Sequence, residues 1–326
     1  MKTVAIACQG GGSHTAFSAG VLQTLLRRID SERYRIIGLS GTSGGALCAV
    51  IAWCGLLLGD PERGAQLLDS FWREVAAREP WDALANDTLV WLTRMRESVA
   101  LPEISPYQVP PTGQDYLAEL LKRHIPFADL PGLVNADSPE MLVGAVNALS
   151  GGFTVFRSRH RDPEKRISVD ALLASAAIPS LFRAVRIGKS VYWDGLFSEN
   201  PPIRGFLAGH ASAAAKPDEI WIVQINPDHR SEEPKSMKDI DDRRNELAGN
   251  LSLNQEIFFV RQANDWLQKG WLSASHFKHV ELRRIELDME LDYASKLDRN
   301  PDFIGRMIDH GNDKAAQFLR SLNDHR

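Results

Sequence analysis

"RIIGLSGTSGGALCAV", Arg35 to Val50, is the stretch on which the fold turns. An apolar run gives way to residues that are nearly all small, and these to a second, longer apolar run. The first part reads as a buried strand, Arg35 to Ser40. The last reads as a helix, Gly44 to Leu58, apolar all round and therefore buried. Ser43 stands between them, in Gly41-Thr42-Ser43-Gly44-Gly45. A sharp strand-to-helix turn forces strained backbone angles on its central residue. It also crowds the flanking positions, so that only small residues fit there. Such a turn exposes the serine hydroxyl at the carboxyl edge of a sheet. It places the amide of Gly44 at a helix N-terminus, where it can donate to an anion. By itself the pattern arises by chance in roughly one chain in ten of this length. The strand before it and the buried helix after it make it a nucleophile elbow rather than a glycine-rich helix start.

Upstream, Thr3 to Cys8 ("TVAIAC") is a second buried strand, and Ser13 to Ile29 has apolar residues at helical spacing and ends in Arg27-Arg28. Strand, helix, strand, helix in so short a span implies a parallel sheet with right-handed crossovers. The first strand closes in "GGGSH". Adjacent glycines let the amides of Gly10, Gly11, Gly12 and Ser13 converge on an anion or a developing oxyanion. Dinucleotide binding wants G-x-G-x-x-G with an acid about 20 residues later, and a phosphate loop wants Gly-Lys-Ser/Thr. Thr15 stands where the last glycine would be, and no such lysine follows. Neighbouring parallel strands would set this loop beside Ser43, so an oxyanion hole formed with Gly44 is the economical reading.

An exposed serine needs a base. "YWDGLFSENPP" offers Asp194, followed by Gly195 at a tight turn. The combination of Gly10-Gly11-Gly12, Gly41-Thr42-Ser43-Gly44-Gly45 and Asp194-Gly195 resembles the patatin-like phospholipase family. "ALLASAAIPSLF" and "ENPPI" resemble that family's segments on either side of its aspartate. "RRNELAGNLSLNQE" is similar to bacterial members. The resemblance covers roughly residues 3–58 and 141–227. It implies a three-layer α/β/α sandwich with a mainly parallel central sheet and a Ser–Asp dyad of Ser43 and Asp194. It also implies hydrolysis of lipid acyl esters, with no metal or cofactor in the chemistry. Two departures stand out. His14 and Thr15 occupy places where the family's glycine loop has Arg or Lys and then Gly, and Leu196 replaces the second glycine after the aspartate. Histidine titrates near neutrality, so it does not guarantee a charge beside the loop.

The rest of the chain sets bounds. With 326 residues and 44% hydrophobic content it can bury a sizeable core, and a net charge of −4 gives no reason to expect nucleic acid. The three cysteines, Cys8, Cys48 and Cys54, show no pairing or zinc spacing and read as buried thiols of a reducing compartment. The N-terminus lacks a signal-peptide pattern, and Gly44 to Leu58 falls short of the roughly 20 residues of a membrane span. The expectation is a cytoplasmic protein, open to transient contact with a membrane surface. Residues 1–326 read as one hydrolase domain with a helical insertion or cap at 59–137 and a mostly helical C-terminal extension at 231–326. Trp72, Trp81 and Trp91 of the insertion read as core rather than interface. His276 and His279 lack neighbouring ligands and read as surface residues. A histidine triad, in the chain order serine, acid, histidine, is disfavoured because Ser43 follows only the second strand. Two further readings share the scaffold: a non-catalytic lipid-binding or regulatory protein, and an acyltransferase in which an alcohol accepts the acyl group.

Overall fold

The structure, a computed structural model, describes residues 1–95, 104–208 and 212–324. Its strands are β1 (Lys2–Cys8), β2 (Tyr34–Gly41), β3 (Glu140–Asn147), β4 (Phe153–Arg157), β5 (Val185–Ile187), β6 (Ser190–Asp194), β7 (Glu219–Gln224) and β8 (Glu281–Glu286). The helices are α1 (Ala16–Arg28), α2 (Gly44–Leu57), α3 (Pro61–Val75), α4 (Pro80–Met95), α5 (Thr112–His124), α6 (Leu130–Leu133), α7 (Val169–Ser175), α8 (Gly205–Ala208), α9 (Met237–Gln268) and α10 (Pro301–Asp324).

The strands form one sheet in the order β5-β6-β3-β2-β1-β7-β8, with β4 also paired to β3. The central pairs are parallel, and β4, β5 and β6 make antiparallel pairs. The alternation of β1 shows how two helical layers are held. Val4, Ile6 and Cys8 join the core that contains α1, α2, α3 and α10, while Ala5 and Ala7 join Phe206, Leu253 and Ile257 on the other face. The result is a three-layer α/β/α sandwich.

Four features depart from the sequence reading. The helix expected from Ser13 begins as a 3-10 turn, Gly12–Thr15, and becomes α-helical at Ala16. The 231–326 region contains β8, which pairs parallel with β7 at the sheet edge. Its segment "ELRRIE" is too charged to read as a strand, because its partners come from elsewhere: Arg283 bonds Glu219 at 2.9 Å, and Arg284 pairs with Asp228. Within 59–137, α3 buries Leu68, Phe71 and Trp72 against α1 and α2 and so belongs to the helical layer. Trp81 and Trp91 of α4 are exposed, against the expectation of core packing. All three cysteines are buried and free. Among the described residues, no helix is long and apolar enough to cross a membrane.

Candidate active site

The sheet brings Ser43 and Asp194 together through a change of neighbour along β3. Gly41 of β2 pairs with Val143, and Asp194 of β6 pairs with Ala145. Both β3 residues also pair with β4, through Phe156 and Thr154. A strand has only two edges, so β2 and β6 occupy the same one. The chain leaves the sheet at the elbow after Gly41, and β6 takes over the vacated edge two residues further along, about 7 Å at strand rise. Ser43 turns out of the sheet where Asp194 enters it.

Ser43 has φ 54° and ψ −134°, the one non-glycine residue with positive φ among those described. That conformation is costly for a side chain and survives only when its surroundings enforce it. They do so here. The Ser43 amide donates to Ser175 Oγ at 2.9 Å, and Ser175 Oγ donates to the Gly144 carbonyl at 2.7 Å. Thr42 Oγ1 donates to the Glu199 carbonyl at 2.6 Å. The small flanking residues are needed for contact. A Cβ on Gly45 would lie 2.5 Å from the carbonyl oxygens of Cys8 and Gln9, one on Gly41 would lie 2.6 Å from Ala46, and one on Gly44 would collide with Thr15 Oγ1. Gly44 opens α2, where first-turn amides have no intrahelical acceptor.

Asp194 is 1% exposed. Its backbone amide donates to Ala177 at 3.0 Å, and its Oδ1 accepts from the Leu196 amide at 2.8 Å. The Oδ2 atom is buried with no hydrogen-bond partner among the described residues. Burial raises the carboxyl pKa to about 7, opposed by the Leu196 amide and by the Ser43 hydroxyl. The hydroxyl is therefore near the carboxyl but short of a formed bond to Oδ2; such contacts commonly tighten when substrate binds. Gly195 packs against the Gly144 carbonyl and Thr42 Cγ2, which leaves no room for a side chain.

The triple-glycine loop lies against the elbow. A Cβ on Gly10 would lie 2.7 Å from the Thr42 carbonyl and 3.0 Å from Ser43 Cβ. One expectation changes. The Gly10 amide already donates to Asn200 Oδ1 at 2.7 Å, so it holds the loop in place instead of facing an anion. Gly12 remains beside Gly44, where a Cβ would lie 3.0 Å from the Gly12 carbonyl oxygen, and Thr15 Oγ1 ties the turn back to that carbonyl at 2.6 Å. His14 is buried, bonded to Ser295 at 2.8 Å, and neutral: burial and then the charge of Lys296 lower its pKa to about 3.

Several supporting residues escaped the sequence reading. Ser175 and Asn200 lie inside the two segments that resemble the family, but nothing in their spacing marks them as props. Gln9 Oε1 accepts from the amides of Ile225 and Asn226, and its Nε2 donates to Asn250 and Gly249 of α9. No histidine is hydrogen-bonded to Ser43 or Asp194 among the described residues; His210 and His325 lie outside them. Likewise, no cluster of three potential metal ligands occurs among the described residues.

Comparison with solved structures finds VipD from Legionella pneumophila and the type III effector protein ExoU. VipD is 15% identical with a TM-score of 0.47, over 98% of this chain and 67% of that one. ExoU is 16% identical with a TM-score of 0.41, over 97% of this chain and 53% of that one, so the chain spans about half of ExoU's length. No curated protein matches the sequence. The family model of the patatin-like phospholipases matches residues 6–207, more than half of the chain, from within β1 into α8. The chain belongs to the patatin-like phospholipase family, which places it broadly among lipid hydrolases.

Proposed function

We propose that the protein hydrolyses carboxylic esters of lipids through an acyl-enzyme on Ser43, with Asp194 as the base. The observation that carries this reading is the pairing of a strained serine at φ 54° with a buried carboxyl whose Oδ2 has no other partner. Ser43 Oγ attacks the acyl carbonyl carbon, and its proton passes to Asp194 Oδ2. The carbonyl oxygen becomes an oxyanion, held by the amides of Gly44 and of the Gly11–Ser13 turn. The ester C–O bond breaks, and the proton moves from Asp194 to the leaving alcohol. Water then attacks the acyl-enzyme, giving its proton to Asp194; the acyl C–Oγ bond breaks, the free acid leaves, and Asp194 returns the proton to Ser43 Oγ. A carboxylate of ordinary pKa near 4 is a weak base at pH 7, so the raised value of Asp194 improves the match. The substrate is a lipid met at a surface. Exposed Trp81, Trp91 and Phe197, the last within the turn that follows Asp194, support transient contact with that surface.

The test is a panel of p-nitrophenyl esters, lysophospholipids, phospholipids and triglycerides, run on the wild type and Ser43→Ala. Turnover by the wild type alone, with a fluorophosphonate label mapped to Ser43, is expected. A label on another residue of active protein would defeat the assignment. Added alcohol separates transfer from hydrolysis, because an acyltransferase makes a new ester where a hydrolase makes a free acid.

The pH dependence has a definite sign. Asp194 must be ionised to accept the proton, and half of it is ionised at about pH 7. The value of kcat/KM is therefore expected to rise through pH 6 to 7 as Asp194 ionises. A profile already flat at pH 5 would mean that the base has an ordinary carboxylate pKa.

A further inference from the structure

The 3-10 turn Gly12–Thr15 rests on a second 3-10 turn, Ala294–Leu297, from the far end of the chain. Gly12 has φ +57°, and a Cβ there would collide with the Lys296 carbonyl and lie 3.3 Å from Lys296 Cβ. The His14–Ser295 bond locks the two turns together. Lys296 is half-buried, and its ammonium end points inward. Nζ donates to Asn226 Oδ1 at 2.8 Å and to Asn245 Oδ1 at 2.5 Å. Both acceptors are neutral. The Asn226 amide in turn donates to Gln9 Oε1, and Gln9 leads into Gly10. The ammonium is thus two hydrogen-bonded steps from the residue that starts the loop.

The surrounding charges do not cancel it. Asp242 and Glu246 of α9, Asp292 before the second turn, and neutral His14 face this lysine, with the Tyr293 ring 6.0 Å from Nζ. Glu246 is taken by Arg230 at 2.7 Å and Arg243 at 3.0 Å, Asp292 by Arg94 at 2.9 Å, and Asp242 Oδ1 by the Tyr293 amide at 2.8 Å. No carboxylate lies within ion-pair distance of Lys296 among the described residues. An ammonium held on neutral amides is costly, yet its field reaches the loop, where it helps to keep His14 uncharged.

We propose that Lys296 is a positioning residue of the oxyanion loop: its backbone backs the turn at Gly12, and its ammonium, held on Asn226 and Asn245, supplies the positive potential that the loop's own residues lack. This rests on the reading of Ser43 as the nucleophile. The charge acts on the transition state, where negative charge develops, so its removal should lower kcat more than it raises KM. Losing a direct oxyanion donor costs about 10²- to 10³-fold. A charge one layer behind should cost less, roughly tenfold.

The experiment uses the full chain and measures p-nitrophenyl ester hydrolysis and the rate of fluorophosphonate labelling from pH 6 to 10. Wild type is compared with Lys296→Gln, which keeps a donor without the charge, and with Lys296→Met. Burial lowers the lysine pKa to about 8, and Asp242 and Glu246 oppose that shift. The wild-type rate should therefore fall on an alkaline limb near pH 8. In Lys296→Gln the limb should vanish, with kcat down about tenfold and KM within about twofold of wild type. Wild-type kcat in Lys296→Gln, or a limb that persists in it, overturns the proposal. If neither variant folds, the wild-type profile decides, and a rate flat from pH 7 to 10 overturns it. Ser43→Ala separates the failures. If it still turns over, the nucleophile reading falls and this inference with it; if it is dead while Lys296→Gln is fully active, only the role of Lys296 falls.

Discussion

Asp194→Asn is expected to fold and to lose about 10³-fold or more in kcat, as serine hydrolases do when the acid–base partner is disabled. The amide is nearly isosteric, and its Oδ1 can still accept from Leu196. What it cannot do is take a proton from Ser43. The same variant should gain stability in a pH-dependent way. The folded pKa of about 7 lies above the unfolded value of about 3.9. Between those two pH values the folded chain keeps a proton that the unfolded chain releases, so stability falls as pH rises through this window. The full cost is present above pH 7, where the folded state must bury an ionised carboxylate. At 1.36 kcal/mol per pKa unit it is bounded at about 4 kcal/mol. Asparagine never ionises. Melting temperatures of variant and wild type should therefore converge at pH 4 and separate at pH 8, with the variant higher. If Asp194→Asn stays within about tenfold of wild-type kcat while one His→Ala variant abolishes turnover, a histidine triad replaces the dyad.

The elbow was legible because its signal is local. Strand, small residues and apolar helix follow one another from Arg35 to Leu57, and the steric demand at Gly41 comes from Ala46 a few residues on, although that at Gly44 and Gly45 comes from Thr15, Cys8 and Gln9 of the preceding strand and turn. The closeness of Ser43 and Asp194 was legible only as a chemical need for a base, strengthened by resemblance. Its physical cause is a shared edge of β3, and register between distant strands leaves no periodic trace. The same limit hid β8, whose arginines look like surface residues until Glu219 and Asp228 arrive from other segments. It also hid the polar props. Gln9, Ser175 and Asn200 are buried and bond the backbone or other buried amides across the sheet and α9. A buried amide and a surface amide look alike in sequence, because burial is decided by where the rest of the chain folds. The charge beside the glycine loop shows the limit most sharply. Position 14 suggested that it was missing, and a cation arrives instead from Lys296, in a turn near the C-terminal helix.

Ser43→Gly and Ser43→Ala are both expected to abolish turnover and fluorophosphonate labelling, yet to differ in stability. A nucleophile lost from such a site typically costs about 10⁴- to 10⁶-fold in kcat, so activity does not separate them. The backbone does. At φ 54° and ψ −134° any Cβ is strained, and alanine carries the same Cβ as serine. Glycine adopts such angles freely. A conformation of this kind costs of order 1–3 kcal/mol, whereas glycine gives back about 0.5–1 kcal/mol through the greater freedom of its unfolded chain. The strain term is the larger, so Ser43→Gly should be more stable than Ser43→Ala by about 1–2 kcal/mol. Neither change touches the Ser43 amide, which keeps its bond to Ser175, so the elbow should persist in both. Paired urea titrations at one pH read the difference directly. An alanine variant as stable as the glycine variant, or more so, would mean that the elbow relaxes once the hydroxyl is gone. The strain would then come from the hydroxyl's own contacts, and Ser175, Thr42 and the glycine packing would not be what holds Ser43 out of the allowed regions.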